Sequence, residues 1–277
     1  LVFIYHNWES GTDNSPIWDD IWETMDPPNY KFERRDTTHV DAAQRPTNRE
    51  YDYYLHLIEI AKAHNYDDAK IAELSPFLVQ DPLFNAMLIK SNEALIELYE
   101  MIGDSEDKIS TLKAWQEKAI TRFNEKLYNE KLGGYVHYDL RNEKQIEHLS
   151  SSSFAPLFSN IPTKEHAEVM VKTLIEKFGG EDRYLCASFD PESDRFNPKK
   201  YWRGPIWINL NWMLYNGLNN YGFTDIANRV KEDSITLIEK YGFYEYLDSR
   251  KSVTENAGYG GNNFSWSAAL LLDLLKD

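Results

Sequence analysis

The strongest constraint on this chain is a helical recurrence of apolar residues that returns in segment after segment, at roughly 48–65, 84–103, 106–128, 164–178, 206–221, 223–241 and 264–276. Helix stops fall between these segments at Gly103-Asp104, Gly179-Gly180 and Asn219-Asn220-Tyr221-Gly222. Neighbouring helices are therefore joined by short connections, which favours antiparallel pairs. A chain of such hairpins forms either an open solenoid or a closed ring, an α/α toroid. No repeat of fixed period is visible, and that favours the all-α toroid. One β-like interruption stands out: Gly133-Gly134-Tyr135-Val136-His137-Tyr138 alternates after Asn129-Glu130 and predicts a small hairpin.

The 277 residues, 42% of them hydrophobic, suffice for one large domain with a sizeable core. Forty-five acidic residues against thirty basic give a net charge of −15, which repels phosphate backbones and anionic membrane surfaces. No nucleic-acid or membrane partner is expected. Cys186 is alone, so no internal disulfide or cysteine-based zinc site is possible, and a reducing, cytoplasmic compartment fits. The chain opens at Leu1 within an apolar run rather than at Met, and a targeting segment or a larger N-terminal part is expected to have been removed. Two stretches, 26–47 and 181–204, are too long and irregular for simple connectors; they read as binding loops or mobile surface, with 26–47 the candidate lid.

Seven of the eight tryptophans cluster in 8–22, 202–212 and at 266, beside charged residues and helix ends; Trp115 is the exception. Aromatic faces stack on the apolar faces of sugar rings while nearby Asp, Asn, Arg and Gln bond the hydroxyls. The competing reading is that these rings simply pack helix hairpins. Asp13, between Gly11 and Ser15-Pro16, is either such a site carboxylate or part of an ordinary helix start with Ser15 as the cap. Glu245, in Phe243-Tyr244-Glu245-Tyr246-Leu247-Asp248, is either a solvated acid after a helix or an acid among rings. A carboxyl crowded by rings loses hydration and holds its proton more tightly, as a proton donor or base needs. Arg203, between Trp202 and Trp207 at a helix entrance, suits a ligand clamp, although an interior ion pair has the same local pattern.

Other chemistries fail on inspection. The histidines lack metal-protease spacing, and there is neither a Gly-x-Ser-x-Gly elbow nor a phosphate-cradling glycine loop followed by Lys. Asp190-x-Glu192-x-Asp194 begins like a calcium loop but lacks the glycine at its sixth position, and Tyr201 stands where the closing glutamate belongs. Asn263-Phe264-Ser265 is a glycosylation sequon that opens an apolar helix. No metal or other cofactor is expected.

Six motifs, taken in order, carry a resemblance. They are Trp8-Glu9-Ser10-Gly11-Thr12-Asp13-Asn14-Ser15-Pro16, Arg34-Arg35-Asp36 leading to Arg45-Pro46-Thr47, and Gln80-Asp81-Pro82-Leu83-Phe84-Asn85. Tyr201-Trp202-Arg203-Gly204-Pro205-Ile206-Trp207, Phe243-Tyr244-Glu245-Tyr246, and Gly258-Tyr259-Gly260-Gly261 with Phe264-Ser265-Trp266 complete the set. Their joint order and spacing resembles glycoside hydrolase family 63, most closely its mannosylglycerate and glucosylglycerate hydrolase branch. The resemblance implies an (α/α)6 toroid and an inverting hydrolysis of an α-linked glucoside or mannoside, with Asp13 as general acid and Glu245 as general base. Trp8, Glu9, Asp81, Tyr201, Trp202, Arg203, Trp207 and Trp266 would line the sugar site, and Arg45 and Tyr51 would hold a glycerate carboxylate. Twelve helices make such a ring, whereas about eight or nine are expected here. Residues 1–277 thus read as a partial (α/α)6 domain lacking its N-terminal third, completed by a missing segment or a second chain. An α-glucosidase acting on oligosaccharides and a catalytically silent helical sugar- or protein-binding module remain alternatives.

Overall fold

The computed structural model describes residues 1–103 and 106–276. The chain starts with two 3-10 turns, Asn7–Ser10 and Pro16–Trp18, and a single helical turn, α1 (Asp19–Trp22). After the irregular stretch 26–47, whose one regular piece is the 3-10 turn Ala42–Gln44, comes α2 (Asn48–Ala63). Thr47 and Glu50 bond each other's backbone amides there, satisfying two donors that a helix start leaves free. The short helix α3 (Asp68–Leu74) and strand β1 (Val79–Gln80) follow, then the long pair α4 (Pro82–Ile102) and α5 (Glu106–Leu127). Asp81 caps α4, and Gly103 ends it in a left-handed conformation, φ 69°, where the sequence placed a stop. Asp104, the other half of that stop, lies outside the described residues.

Four short strands come next: β2 (Tyr128–Asn129), β3 (Gly134–Tyr135), β4 (His137–Asp139) and β5 (Lys144–Ile146). The hairpin expected around 133–138 is in fact divided. β3 pairs with β2, while β4 leaves to join β5 on one side and β1 on the other. Helix α6 (Lys164–Thr173) continues through a wider turn to Phe178, and α7 (Ile208–Asn220) packs against α8 (Thr224–Tyr241). An antiparallel pair, β6 (Tyr244–Leu247) with β7 (Gly258–Asn262), precedes α9 (Ser265–Leu274). All seven helices expected from periodicity are present to within about two residues at each end.

Clusters of buried side chains hold these elements. The largest joins α4 to α8 through residues such as Ile89, Phe123, Met170, Leu214 and Val230. A second seats the N-terminal turns against α2 through Ile17, Trp18, Trp22, Tyr54 and Phe77. A third, of Leu83, Trp202, Trp207, Leu210 and Tyr246, lies beneath β6. Burial of this kind stabilises by about 1.5–3 kcal/mol per large apolar side chain, enough to fix the loops that carry the site. Helix α4 also keeps an apolar stripe in the open: Phe84, Leu88, Leu95, Leu98 and Ile102 follow helical spacing on one face and are exposed.

Candidate active site

The loop bearing Asp13 is rigid because each of its neighbours is tied down. His6 and Glu9 form a capping box around the turn Asn7–Ser10, with Glu9 Oε2 accepting from the amides of Tyr5 and His6, both at 2.9 Å. Gly11, at φ 71°, supplies the left-handed residue that ends that turn. Asn7 donates to the Asp13 carbonyl at 2.7 Å, Tyr54 donates to it at 3.3 Å, and the Trp18 indole donates to the Thr12 carbonyl at 2.9 Å. Ser15 caps the turn that starts at Pro16. The carboxyl of Asp13 is therefore no cap: its Oδ2 accepts instead from the Tyr201 hydroxyl at 3.3 Å. Burial above all pushes this carboxyl up to about 6, a rise that the negative charge of Glu245 adds to and that Tyr201, the Asp13 amide and Arg45 oppose.

Glu245 stands on β6 and is 8% exposed, so it is not a solvated acid. Nor is it bare among rings. Arg45 donates to Oε1 at 3.1 Å and to Oε2 at 2.6 Å, and the Gly261 amide donates to Oε2 at 3.1 Å. The Arg45 guanidinium lies 4.8 Å over the Tyr201 ring, so Tyr201 faces Asp13 with its hydroxyl and Arg45 with its ring. Tyr201 adopts φ 40°, an uncommon backbone state for a bulky residue. Its carbonyl accepts from the Trp207 indole at 3.0 Å.

Arg45 and its neighbour Gln44 anchor the far end of the 26–47 stretch. The Gln44 side chain accepts from the Gly260 amide and its carbonyl accepts from the Tyr246 hydroxyl, both at 2.9 Å. At the near end, Arg49 on α2 donates to the Pro27 carbonyl at 2.8 Å, and Asp52 accepts from the Tyr30 amide at 2.8 Å. The segment thus crosses from α2 to β6–β7 fastened at both ends. Tyr51, on α2, is stacked on Phe32 at 5.4 Å with the Arg34 guanidinium 4.6 Å over its ring. Burial first, then the charge of Asp36, pushes its hydroxyl up to about 12.

Other residues named from the sequence have internal partners. Arg203 makes the interior ion pair, with two bonds to Asp19 at 2.9 and 2.6 Å and a further one to the Asn14 carbonyl. Asp81 is fully buried, bonding the Phe84 amide at 2.8 Å and His137 at 3.1 Å. Trp202 and Trp207 stack on each other at 3.7 Å and are buried, as are Trp18 and Trp22, so for these four the packing alternative holds. Trp8 and Trp266 differ, with 42% and 38% of their surface exposed. Gln44 and Asp19 went unnoticed in the sequence because the groups they bond are remote along the chain. Among the described residues no group of three or more His, Cys, Asp or Glu side chains is placed to hold a metal ion, and no helix is long and apolar enough to cross a membrane.

The arrangement has clear relatives. A mannosylglycerate hydrolase of Rubrobacter radiotolerans is 38% identical over all of this chain and 62% of its own length. One from Thermus thermophilus is 39% identical over 98% of this chain and 64% of its own. A crystal structure of a family 63 mannosylglycerate hydrolase from Thermus thermophilus, in complex with Tris and D-glycerate, superposes with a TM-score of 0.92 at 38% identity and covers all of this chain. The fold is accordingly that of part of an all-α toroid. The chain spans a little under two thirds of the length of these proteins. A family profile, the mannosylglycerate hydrolase MGH1-like glycoside hydrolase domain, matches residues 1–267, and the chain belongs to that family of glycoside hydrolases.

Proposed function

We propose that this chain carries the catalytic acids of an inverting glycoside hydrolase that cleaves an α-linked mannosyl- or glucosyl-glycerate. The observation that carries this reading is the pairing of Asp13 and Glu245 within one cluster, through Tyr201 and Arg45, although they lie at opposite ends of the chain. Their environments differ in the way acid and base roles require. Asp13 keeps its proton up to about pH 6, while Glu245 is matched by a guanidinium. Asp13 protonates the departing glycosidic oxygen; Glu245 takes a proton from the water that attacks the opposite face of the sugar. Such a pair needs carboxyls about 6.5–9.5 Å apart to admit the water.

The exposed faces of Trp8 and Trp266 suit stacking on the sugar. Glu9, Trp202, Arg203 and Trp207 act from behind, holding the loops that present Asp13 and Tyr201, while Asp81 starts α4 with its carboxylate against His137. Arg45 receives the glycerate carboxylate, since its planar fork bonds a carboxylate in two places, and Tyr51 borders that position. The D-glycerate bound by the Thermus thermophilus enzyme supports this choice of leaving group. No cofactor takes part. The 26–47 segment serves as the lid, and the compartment is cytoplasmic, in keeping with the unpaired Cys186. Further hairpins of the ring, from the same polypeptide or a second chain, pack on the α4 stripe.

Hydrolysis of mannosylglycerate followed by NMR tests the reading. The sugar released first should be the β-anomer, and Asp13→Asn or Glu245→Gln should each slow release by roughly 10²–10⁴-fold. Release of the α-anomer, or an Asp13→Asn variant of nearly full activity, would overturn it.

A further inference from the structure

The Arg45 guanidinium that the proposed function assigns to the substrate is already occupied. Both of its terminal nitrogens donate to Glu245, whose Oε2 also accepts from Gly261, so three of the four acceptor positions of that carboxylate are filled. A general base needs an oxygen lone pair free to face its water. At the same time Arg45 Nε is buried without an acceptor, a costly state for a guanidinium N–H. The edge of the fork that Glu245 leaves unused is therefore the edge on which an incoming oxygen gains most. Arg45 and Glu245 are only 12% and 10% exposed at their side chains, so water screens their attraction weakly. The single positive charge of the guanidinium cannot neutralise two carboxylates at once. Asp13, the other acid of the cluster, adds to the negative charge whenever it is ionised.

Resting on the hydrolase reading above, we propose that Arg45 sets specificity by withholding the base. Without a carboxylate in the leaving-group position, Arg45 holds Glu245 in a two-bond ion pair. A carboxylate-bearing leaving group draws the guanidinium toward its Nε edge and leaves Glu245 facing water. Selection for an anionic substrate then lies in the catalytic step as well as in binding. A neutral glycoside that fills the sugar site meets an occupied base.

The experiment uses a glycosyl fluoride of the sugar the protein accepts, because fluoride is too small to fill the space of a glycerate. Wild-type protein should hydrolyse the fluoride slowly and accelerate about tenfold, the factor that ~1.4 kcal/mol amounts to, when free D-glycerate is added. Arg45→Ala should hydrolyse the fluoride about tenfold faster than wild type, ignore D-glycerate, and lose about a hundredfold in kcat/KM on mannosylglycerate. Opposite signs on the two substrates are something a merely structural arginine would not give. Arg45→Lys, which keeps the charge without the fork, should respond weakly to D-glycerate. If the alanine variant does not fold, the D-glycerate response of wild type decides alone. Hydrolysis of mannosylglycerate with neither acceleration by D-glycerate nor a gain in Arg45→Ala overturns this proposal and leaves the hydrolase reading standing. No hydrolysis of either substrate by wild type overturns both.

Discussion

Asp13 is a charge that the folded chain carries among rings and the unfolded chain would carry in water. Its folded value of about 6 lies above the ordinary 3.8, chiefly because of burial. Below about pH 4 the group is protonated in both states and costs nothing. Between about 4 and 6 the unfolded chain ionises first, and the stability that the neutral form had preserved is lost as pH rises through the folded value. Above that, the penalty reaches at most about 3 kcal/mol, the equivalent of the shift from 3.8 to about 6. Asp13→Asn should therefore raise the melting temperature at pH 7.5 and leave it unchanged at pH 3.5, even as it slows hydrolysis by roughly 10²–10⁴-fold. Equal melting temperatures at both pH values would show that the carboxyl is not desolvated. A residue held against stability in this way fits a catalytic acid better than a scaffold group.

The β6–β7 pair shows how little room surrounds the second acid. Gly260 has φ 71°, and a side-chain carbon there would overlap Glu245 Oε2 and crowd the Tyr246 ring. Gly260→Ala should cost about 1–3 kcal/mol in denaturant unfolding, and should reduce hydrolysis further than the fraction unfolded accounts for, because it pushes on the carboxylate itself. A variant with wild-type kinetics would mean that the hairpin yields without moving Glu245. This pair of strands was also the element least legible in the sequence. The helices repeat a 3.6-residue period locally, so their apolar faces can be read one by one. Strand pairing is decided by partners elsewhere, and the local pattern around Glu245 offered a solvated acid after a helix or an acid among rings, but no strand. The divided hairpin at 133–138 has the same origin, since β4 takes a partner from residues 79–80. Asp13 and Glu245 could be named through family motifs; the ion pair from Arg45 to Glu245 had no local signature, and of the Arg203 ion pair only the arginine was legible, not its partner Asp19.

Viewed as one body, the protein combines a net charge of −15 with an open apolar stripe on α4. A soluble chain rarely leaves such a stripe bare. In isolation this polypeptide should bind a hydrophobic dye and associate through Leu98 and Ile102, which are 56% and 70% exposed. Leu98→Glu combined with Ile102→Lys should suppress both signals while leaving helix content unchanged; light scattering equal to that of wild type would rule out the stripe as the sticky surface. The Asp13 loop bears on the molecule in another way. It takes its shape from Tyr201, Trp202 and Arg203, each bonded to it across 188 or 189 residues of sequence. A polypeptide ending before residue 200 could still wind its early helices, but the aspartate at position 13 would titrate like one in a peptide, because the wall that dries it is synthesised almost 190 residues later.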